Sequence, residues 1–177
     1  MPGYLRLSYR SSYEGEWQLP LALNPEQASA KSRLAAHRLI SMRLRVLALW
    51  RELAGGHEES LILMAVVAIT GDRLTRAGEN PELRNMDNPV PRSLLGQCNI
   101  SSIAVATGLN RETARRAINR LIARGILERS ANRSIHFAPG RMQGPNAYRI
   151  SEMQLEEFTR TANSLMRDGV LVFDATD

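Results

Sequence analysis

The chain has 177 residues, 44% of them hydrophobic, with 23 basic side chains against 18 acidic ones and a net charge of +5, enough apolar material to bury a core of its own. A single cysteine, Cys98, excludes an intramolecular disulfide and fits a reducing compartment, where it reads as a small core residue. No basic-then-apolar leader opens the sequence, and the longest apolar run, residues 61–69, is about half of what a bilayer span needs, so no membrane partner and a cytoplasmic location are expected.

Residues 1–23 mix Tyr4, Tyr9, Tyr13 and Trp17 with Gly, Ser and Pro and show no sustained period, which reads as an irregular arm with room for a short strand near residues 4–9. Asn24-Pro25-Glu26-Gln27 then opens a helix: Asn caps it, Pro takes the first helical position, and Gln stands three residues after the cap. This helix is expected to run to Ala54 and stop at Gly55-Gly56, making residues 24–57 a segment of their own. Within it Ala35, Leu39, Met42, Val46, Leu49 and Leu53 recur at alternating steps of four and three, a heptad-like seam broadened by Ile40, Leu44, Leu47 and Trp50. A helix of roughly thirty residues is about 45 Å long, more than a small domain covers. The seam is therefore expected to build a homodimer; the other reading is a helix packed wholly on its own chain.

Residues 58–77 give a second helix whose run LILMAVVAI is apolar on all sides, so it should be the most buried. From 78 to 94 the chain turns polar, with Pro81, Pro89 and Pro91, and reads as a long loop. The carboxylates Asp72, Glu79, Glu82 and Asp87 lack the spacing and the glycine of a calcium loop, and no metal is expected there.

The run Ile100 to Arg129, ISSIAVATGLNRETARRAINRLIARGILER, carries the most information. A short apolar helix, Ser102 to Thr107, meets Gly108, where a sharp turn calls for φ > 0, and Asn110 can cap a second helix that shows arginine at 111, 115, 116, 120 and 124. Ile103, Ala104 and Leu109 should face Ala114, Ile118, Leu121 and Ile122, and two helices sharing one core in this way form a helix-turn-helix. Gly125 ends the second helix. Residues 126–129 and 134–137 read as two strands about the turn Ser130-Ala131-Asn132-Arg133, and residues 147–150 as a further extended piece. Ser151-Glu152-Met153-Gln154 looks like a capping box opening a last helix with Leu155, Phe158, Ala162, Leu165 and Met166 on one face. Gly169 stops it, and the apolar tail Val170 to Phe173 either packs on the core or is shared between subunits.

Between Ile100 and Arg149 nine arginines stand against Glu112 and Glu128, a local excess of +7, while the remainder of the chain has 14 basic and 16 acidic residues. A surface meeting polyanionic DNA carries charge in this way, and a solvated arginine-rich face is the plainer alternative. On the DNA reading, the helix of residues 110–124 enters the major groove of a duplex, with Arg111, Arg115 and Arg116 suited to guanine and Asn119 to adenine. Glu112 either accepts from cytosine or pairs with Arg116 four residues on. Arg120 and Arg124, near the helix end, are expected to hold phosphate or close the helix dipole. Ser101, Ser102 and Thr107 are placed to bond phosphate, and Asn132 and Arg133, at the tip of the 126–137 hairpin, to reach an adjacent groove. An enzyme is the competing class, but His37, His57 and His136 are scattered without ligand spacing, and phosphate-loop and nucleophile-elbow motifs are missing. No catalytic residue, metal or cofactor is expected. His136 should face DNA or solvent. An interaction module that keeps such a fold without binding DNA is the third class, and the arginine face argues against it.

The segment GLNRETARRAINRLIARGILER resembles a stretch common to several families of bacterial winged helix-turn-helix transcriptional regulators, and the order of elements is similar to that of the MarR-type proteins. The resemblance is specific over residues 100–137 and elsewhere rests on the order of elements alone. It implies a fold that is mainly α with a small β wing: a winged helix-turn-helix over residues 58–150, including the 78–94 loop, with an N-terminal dimer helix and a C-terminal helix and tail over 151–177. It also implies a sequence-specific regulator, a homodimer on double-stranded DNA, with room for a small-molecule effector. Residues 140–150, GRMQGPNAYRI, resemble instead the end of winged-helix domains in plasmid and phage replication initiation proteins, where an N-x-Y-R strand follows a Gly/Arg-rich loop.

Overall fold

The structure is a computed structural model that describes residues 21–76, 81–83 and 85–173. The described residues are mainly helical, with six α-helices and two small antiparallel sheets of two strands each. The strand placed near residues 4–9 lies outside them. Among the described residues no single helix is long and apolar enough to cross a membrane. The chain divides into two compact units, one from Met1–Leu44 with Glu156–Asp177 and one from Arg45–Leu155, and the divide passes through two long helices.

In the first unit, strand β1 (Leu21–Leu23) pairs with the C-terminal strand β4 (Leu171–Phe173), Leu21 opposite Phe173 and Leu23 opposite Leu171. The end of the expected arm is thus a strand, and the apolar tail has found its partner within the chain. Helix α1 (Pro25–Ala30) starts as its sequence predicts, the Asn24 side chain accepting from the Gln27 N–H at 3.1 Å with Pro25 at the first helical position. The helix does not run unbroken to Ala54. Lys31 leaves helical geometry at φ −111°, and α2 (Ser32–Ala54) resumes after it. At this break the Lys31 ammonium donates to the Asp168 carbonyl at 2.6 Å, while Arg38 binds the Asp168 carboxylate at 2.7 and 3.3 Å. Two cations thus gather at the C-terminal end of helix α6 (Pro145–Arg167), where the helix dipole favours positive charge.

The second unit holds the main core. Helix α3 (His57–Arg76) fills its centre with Ile62, Leu63 and Val66, all fully buried. Helices α4 (Ile100–Thr107) and α5 (Arg111–Ala123) add Ile103, Ala117, Ile118 and Leu121, and Val46 and Leu53 of α2 pack against the same cluster. Strands β2 (Leu127–Arg129) and β3 (Ile135–Phe137) form a hairpin with Glu128 opposite His136. The backbone before α4 lies alongside that hairpin, since the Cys98 carbonyl accepts from the Ile135 N–H at 2.7 Å.

The starts of α4 and α6 also differ from the sequence reading. Helix α4 begins at Ile100 because Asn99 and Ser102 cap each other: Asn99 Oδ1 accepts from the Ser102 N–H at 3.0 Å and Ser102 Oγ from the Asn99 N–H at 2.9 Å. Residues 147–150 are helical, not extended, because α6 starts at Pro145. Proline is preset for the first helical position, where its missing N–H would have been unpaired anyway, and the Gly144 carbonyl accepts from Ala147 and Tyr148 at 2.9 and 3.3 Å. The supposed capping box at 151–154 therefore lies inside the helix. There Gln154 accepts from the Trp50 indole at 3.0 Å.

Candidate nucleic-acid interface

The site is built on the junction of α4 and α5. Gly108 adopts φ 70°, a left-handed conformation that costs a side-chain-bearing residue free energy, and so turns the chain between the two helices. Thr107 Oγ1 donates to the Ile103 carbonyl at 2.8 Å and accepts from the Leu109 N–H at 3.3 Å, which fixes the exit from α4. Asn110 Oδ1 accepts from the Glu112 N–H at 2.8 Å and caps α5. Ala114, Ala117, Ile118 and Leu121 are buried on one side of α5, while Arg111, Glu112, Arg115, Arg116 and Asn119 are exposed on the other. The inward and outward sets follow the 3.6-residue period.

Glu112 organises the exposed face. Arg115 grips it as a fork, Nε to Oε2 at 2.8 Å and Nη2 to Oε1 at 2.7 Å, and Arg116 Nε donates to Oε1 at 2.9 Å. These hydrogen bonds, from Arg115 first and then Arg116, hold the Glu112 carboxyl down at about 2, so it is charged at any working pH. Neither the Arg111 nor the Asn119 side chain makes a hydrogen bond or ion pair with a described residue, and the same is true of the Ser101 side chain at the start of α4.

Arg120 on α5 and Arg124 just after it turn back to the fold. Arg120 donates to Glu59 at 2.6 Å and to Glu58 at 3.1 Å, both on the first turn of α3. Arg124 donates to the Ala54 carbonyl and, at 3.4 Å, to that of Leu53, so it closes the end of α2 and not that of its own helix. Ser102 and Thr107 are likewise engaged, in the α4 cap and in the turn. Arg120, Ser102 and Thr107, expected at phosphate, thus all have partners within the fold.

At the hairpin tip the two predicted residues have different tasks. Asn132 Oδ1 accepts from the Ser134 N–H at 3.1 Å and from Ser130 Oγ at 2.6 Å, which shapes the turn. Arg133 is exposed, its guanidinium has no partner among the described residues, and its φ is 62°. Within the hairpin, His136 of β3 is buried where the sequence reading expects it exposed, and its Nδ1 has no hydrogen bond among the described residues. Burial lowers its pKa, and the nearby Arg92 lowers it further while Glu128 pulls it up. Arg92 and Glu128 pair with each other, a contact between the loop and the hairpin that no local sequence signal announces. Cys98 is fully buried, which pushes its thiol up to about 11 and keeps it from forming the reactive thiolate.

No protein-family model, curated protein or solved structure matches the chain. Its chemistry must be read from its own residues. Among the described residues, no three His, Cys, Asp or Glu side chains gather as a metal site requires. A cavity of about 190 Å³ lies in the second unit among Leu49, Leu53, Ile150 and Met153, beside Glu52 and Arg149, which pair at 3.1 Å. That volume is below the roughly 300 Å³ at which small-molecule sites usually begin.

Proposed function

We propose that the chain is a sequence-specific DNA-binding regulator of bacterial type, in which α4 and α5 form a helix-turn-helix, the β2–β3 hairpin is its wing, and α5 enters the major groove. The observation that carries this reading is the outer face of α5. Arg111, Arg115, Arg116 and Asn119 stand exposed together on a helix whose opposite side is locked in the core. Long donors on a rigid helix are what reading base edges requires. Arg133 at the wing tip and Arg129 in β2, whose exposed guanidinium groups have no partners among the described residues, extend the positive surface toward the flank. Ser101 joins the same set at the start of α4.

The active form in this reading is a homodimer, since one recognition helix spans too few base pairs for genomic specificity. Of the α2 seam, Val46 and Leu53 already pack against the core of their own unit. The first part of the helix is the better surface: Ala35, Leu39 and Met42 are half-buried, and Ile40 and Leu44 are 55% and 62% exposed. Phe158 on α6, 60% exposed, adds apolar area in the same unit. The second reading, a role in plasmid or phage replication, rests on residues 140–150 with a strand at 147–150; those last residues lie in helix α6.

Selection of duplexes from a randomised pool, followed by fluorescence anisotropy at several salt concentrations, tests the reading. With about four phosphate contacts per subunit, log K should fall against log salt with a slope of about −7. A flat salt dependence, or no sequence preference among the duplexes retained, would overturn it.

A further inference from the structure

The guanidinium groups of Arg115 and Arg116 meet on one carboxylate, that of Glu112, and so do not act independently. A planar guanidinium has a side edge, Nε with Nη2, and an end edge, Nη1 with Nη2, and each can make a paired contact. In Arg115 the side edge is filled by the two oxygens of Glu112 at 2.8 and 2.7 Å. In Arg116 only Nε is used, at 2.9 Å. Both arginines therefore keep their end edge open, and neither can swing freely toward a phosphate without giving up a charge-assisted bond. Glu112 itself is fixed from behind, because it lies in the first turn of α5, where its own N–H is held by Asn110. A long cation that is free to move binds the nearest phosphate of any sequence. One held by a carboxylate binds well only where an acceptor pair meets its end edge, and in the major groove that pair is O6 and N7 of guanine.

We infer that Glu112 is a specificity-determining positioning residue, which holds Arg115 and Arg116 with their open edges set for guanine and withholds them from phosphate. The target class is then duplex DNA with guanine in each half-site. The inference rests on the DNA-binding reading above and adds a residue that lowers non-specific affinity while raising discrimination. Glu112 has a plain structural value too, as an acid in the first turn of a helix. The test has to separate the two roles.

Three proteins are compared: the full chain, Glu112→Gln and Glu112→Asp. The probes are a duplex selected by the wild-type protein, the same duplex with 7-deazaguanine in place of guanine, and a scrambled duplex. For the wild-type protein, loss of N7 should weaken binding about tenfold or more. For Glu112→Gln, the preference for selected over scrambled DNA should fall about tenfold, the 7-deaza effect should shrink, and the salt slope should steepen by about 1 as a freed arginine takes a phosphate. Glu112→Asp keeps the charge at the helix start but draws the carboxylate back by one methylene, so it should lose specificity as Gln does while retaining wild-type helicity and melting temperature. An Asp variant as specific as wild type, or a Gln variant with an unchanged preference, would overturn the inference and leave the DNA reading standing. A wild-type protein without any sequence preference would overturn the DNA reading itself.

Discussion

Arg124, the residue that follows α5, donates its guanidinium to the carbonyl of Ala54, the last residue of α2. A helix end leaves its final carbonyls without partners, and here a side chain 70 residues further along the chain supplies one. Gly55 makes the approach possible: at φ 83° it bends the chain away, and a Cβ at that position would lie 2.9 Å from Arg124 Nη1. Arg124→Ala should cost about 1.5 kcal/mol, the usual value of a hydrogen bond from a charged donor. Gly55→Ala should cost about 1–2 kcal/mol, since it places a side chain in the left-handed region and crowds the same guanidinium. Denaturant midpoints measure both. Because the two changes act on one contact, the double variant should lose less than the sum.

Arg133 gives a prediction in which stability and binding move in opposite directions. Its backbone is left-handed, which disfavours any side chain bearing a Cβ, and its guanidinium has no partner among the described residues. Arg133→Gly should therefore stabilise the fold by roughly 0.5–1 kcal/mol. If the hairpin is a wing on DNA, the same change should weaken binding and remove footprint protection at the flanks, leaving the centre. A variant that is more stable and binds equally well would reduce the hairpin to a structural element.

His136 links the hairpin to pH. Its pKa in the fold is lowered from 6.5, by burial first and then by Arg92, so the folded chain prefers the neutral ring and the unfolded chain takes up its proton first. Its contribution to stability is complete above about 6.5, and it is lost as pH falls through that value toward the lower folded pKa. Denaturant midpoints measured between pH 7.5 and pH 5 should decline for the wild-type protein and decline less for His136→Gln. Equal slopes for the two proteins would show that the titration belongs to other groups.

The two parts of α2 should respond differently to a buried charge. Val46 packs against the core, so Val46→Glu should destabilise the fold of the single chain by several kcal/mol. Leu44 is 62% exposed, so Leu44→Glu should leave that fold intact. If α2 forms the dimer, Leu44→Glu converts a dimer to a folded monomer, which sedimentation velocity at micromolar concentration resolves. A dimer that survives this change would move the interface away from α2.

Much of the candidate site was legible in the residues themselves because its determinants are local. Gly108 had to turn, Asn110 had to cap, and the alternation of Arg with Ala, Ile and Leu on α5 divides inward from outward by helical period alone. The paired hairpin strands and the apolar α3 were legible for the same reason. Local signals that compete with one another were harder to rank. Pro145 and the box at 151–154 both announce a helix start, and the proline prevails because it acts first and a helix once begun takes in the second signal.

What the tertiary structure alone decided is where each charge goes. The sequence shows nine arginines from Ile100 to Arg149 as one basic stretch. In the fold, Arg120, Arg124 and Arg149 serve Glu59, Ala54 and Glu52, residues distant in the chain, and of the nine only the guanidinium groups of Arg111, Arg129 and Arg133 have no partner among the described residues. A charge count adds up along the chain, whereas a hydrogen bond depends on which groups come within 3 Å once the helices have packed, and that distance is set by the core. The same holds for His136, which reads as an exposed strand residue until Arg92 and Glu128 pair beside it, and for Cys98, made inert by the burial that surrounds it.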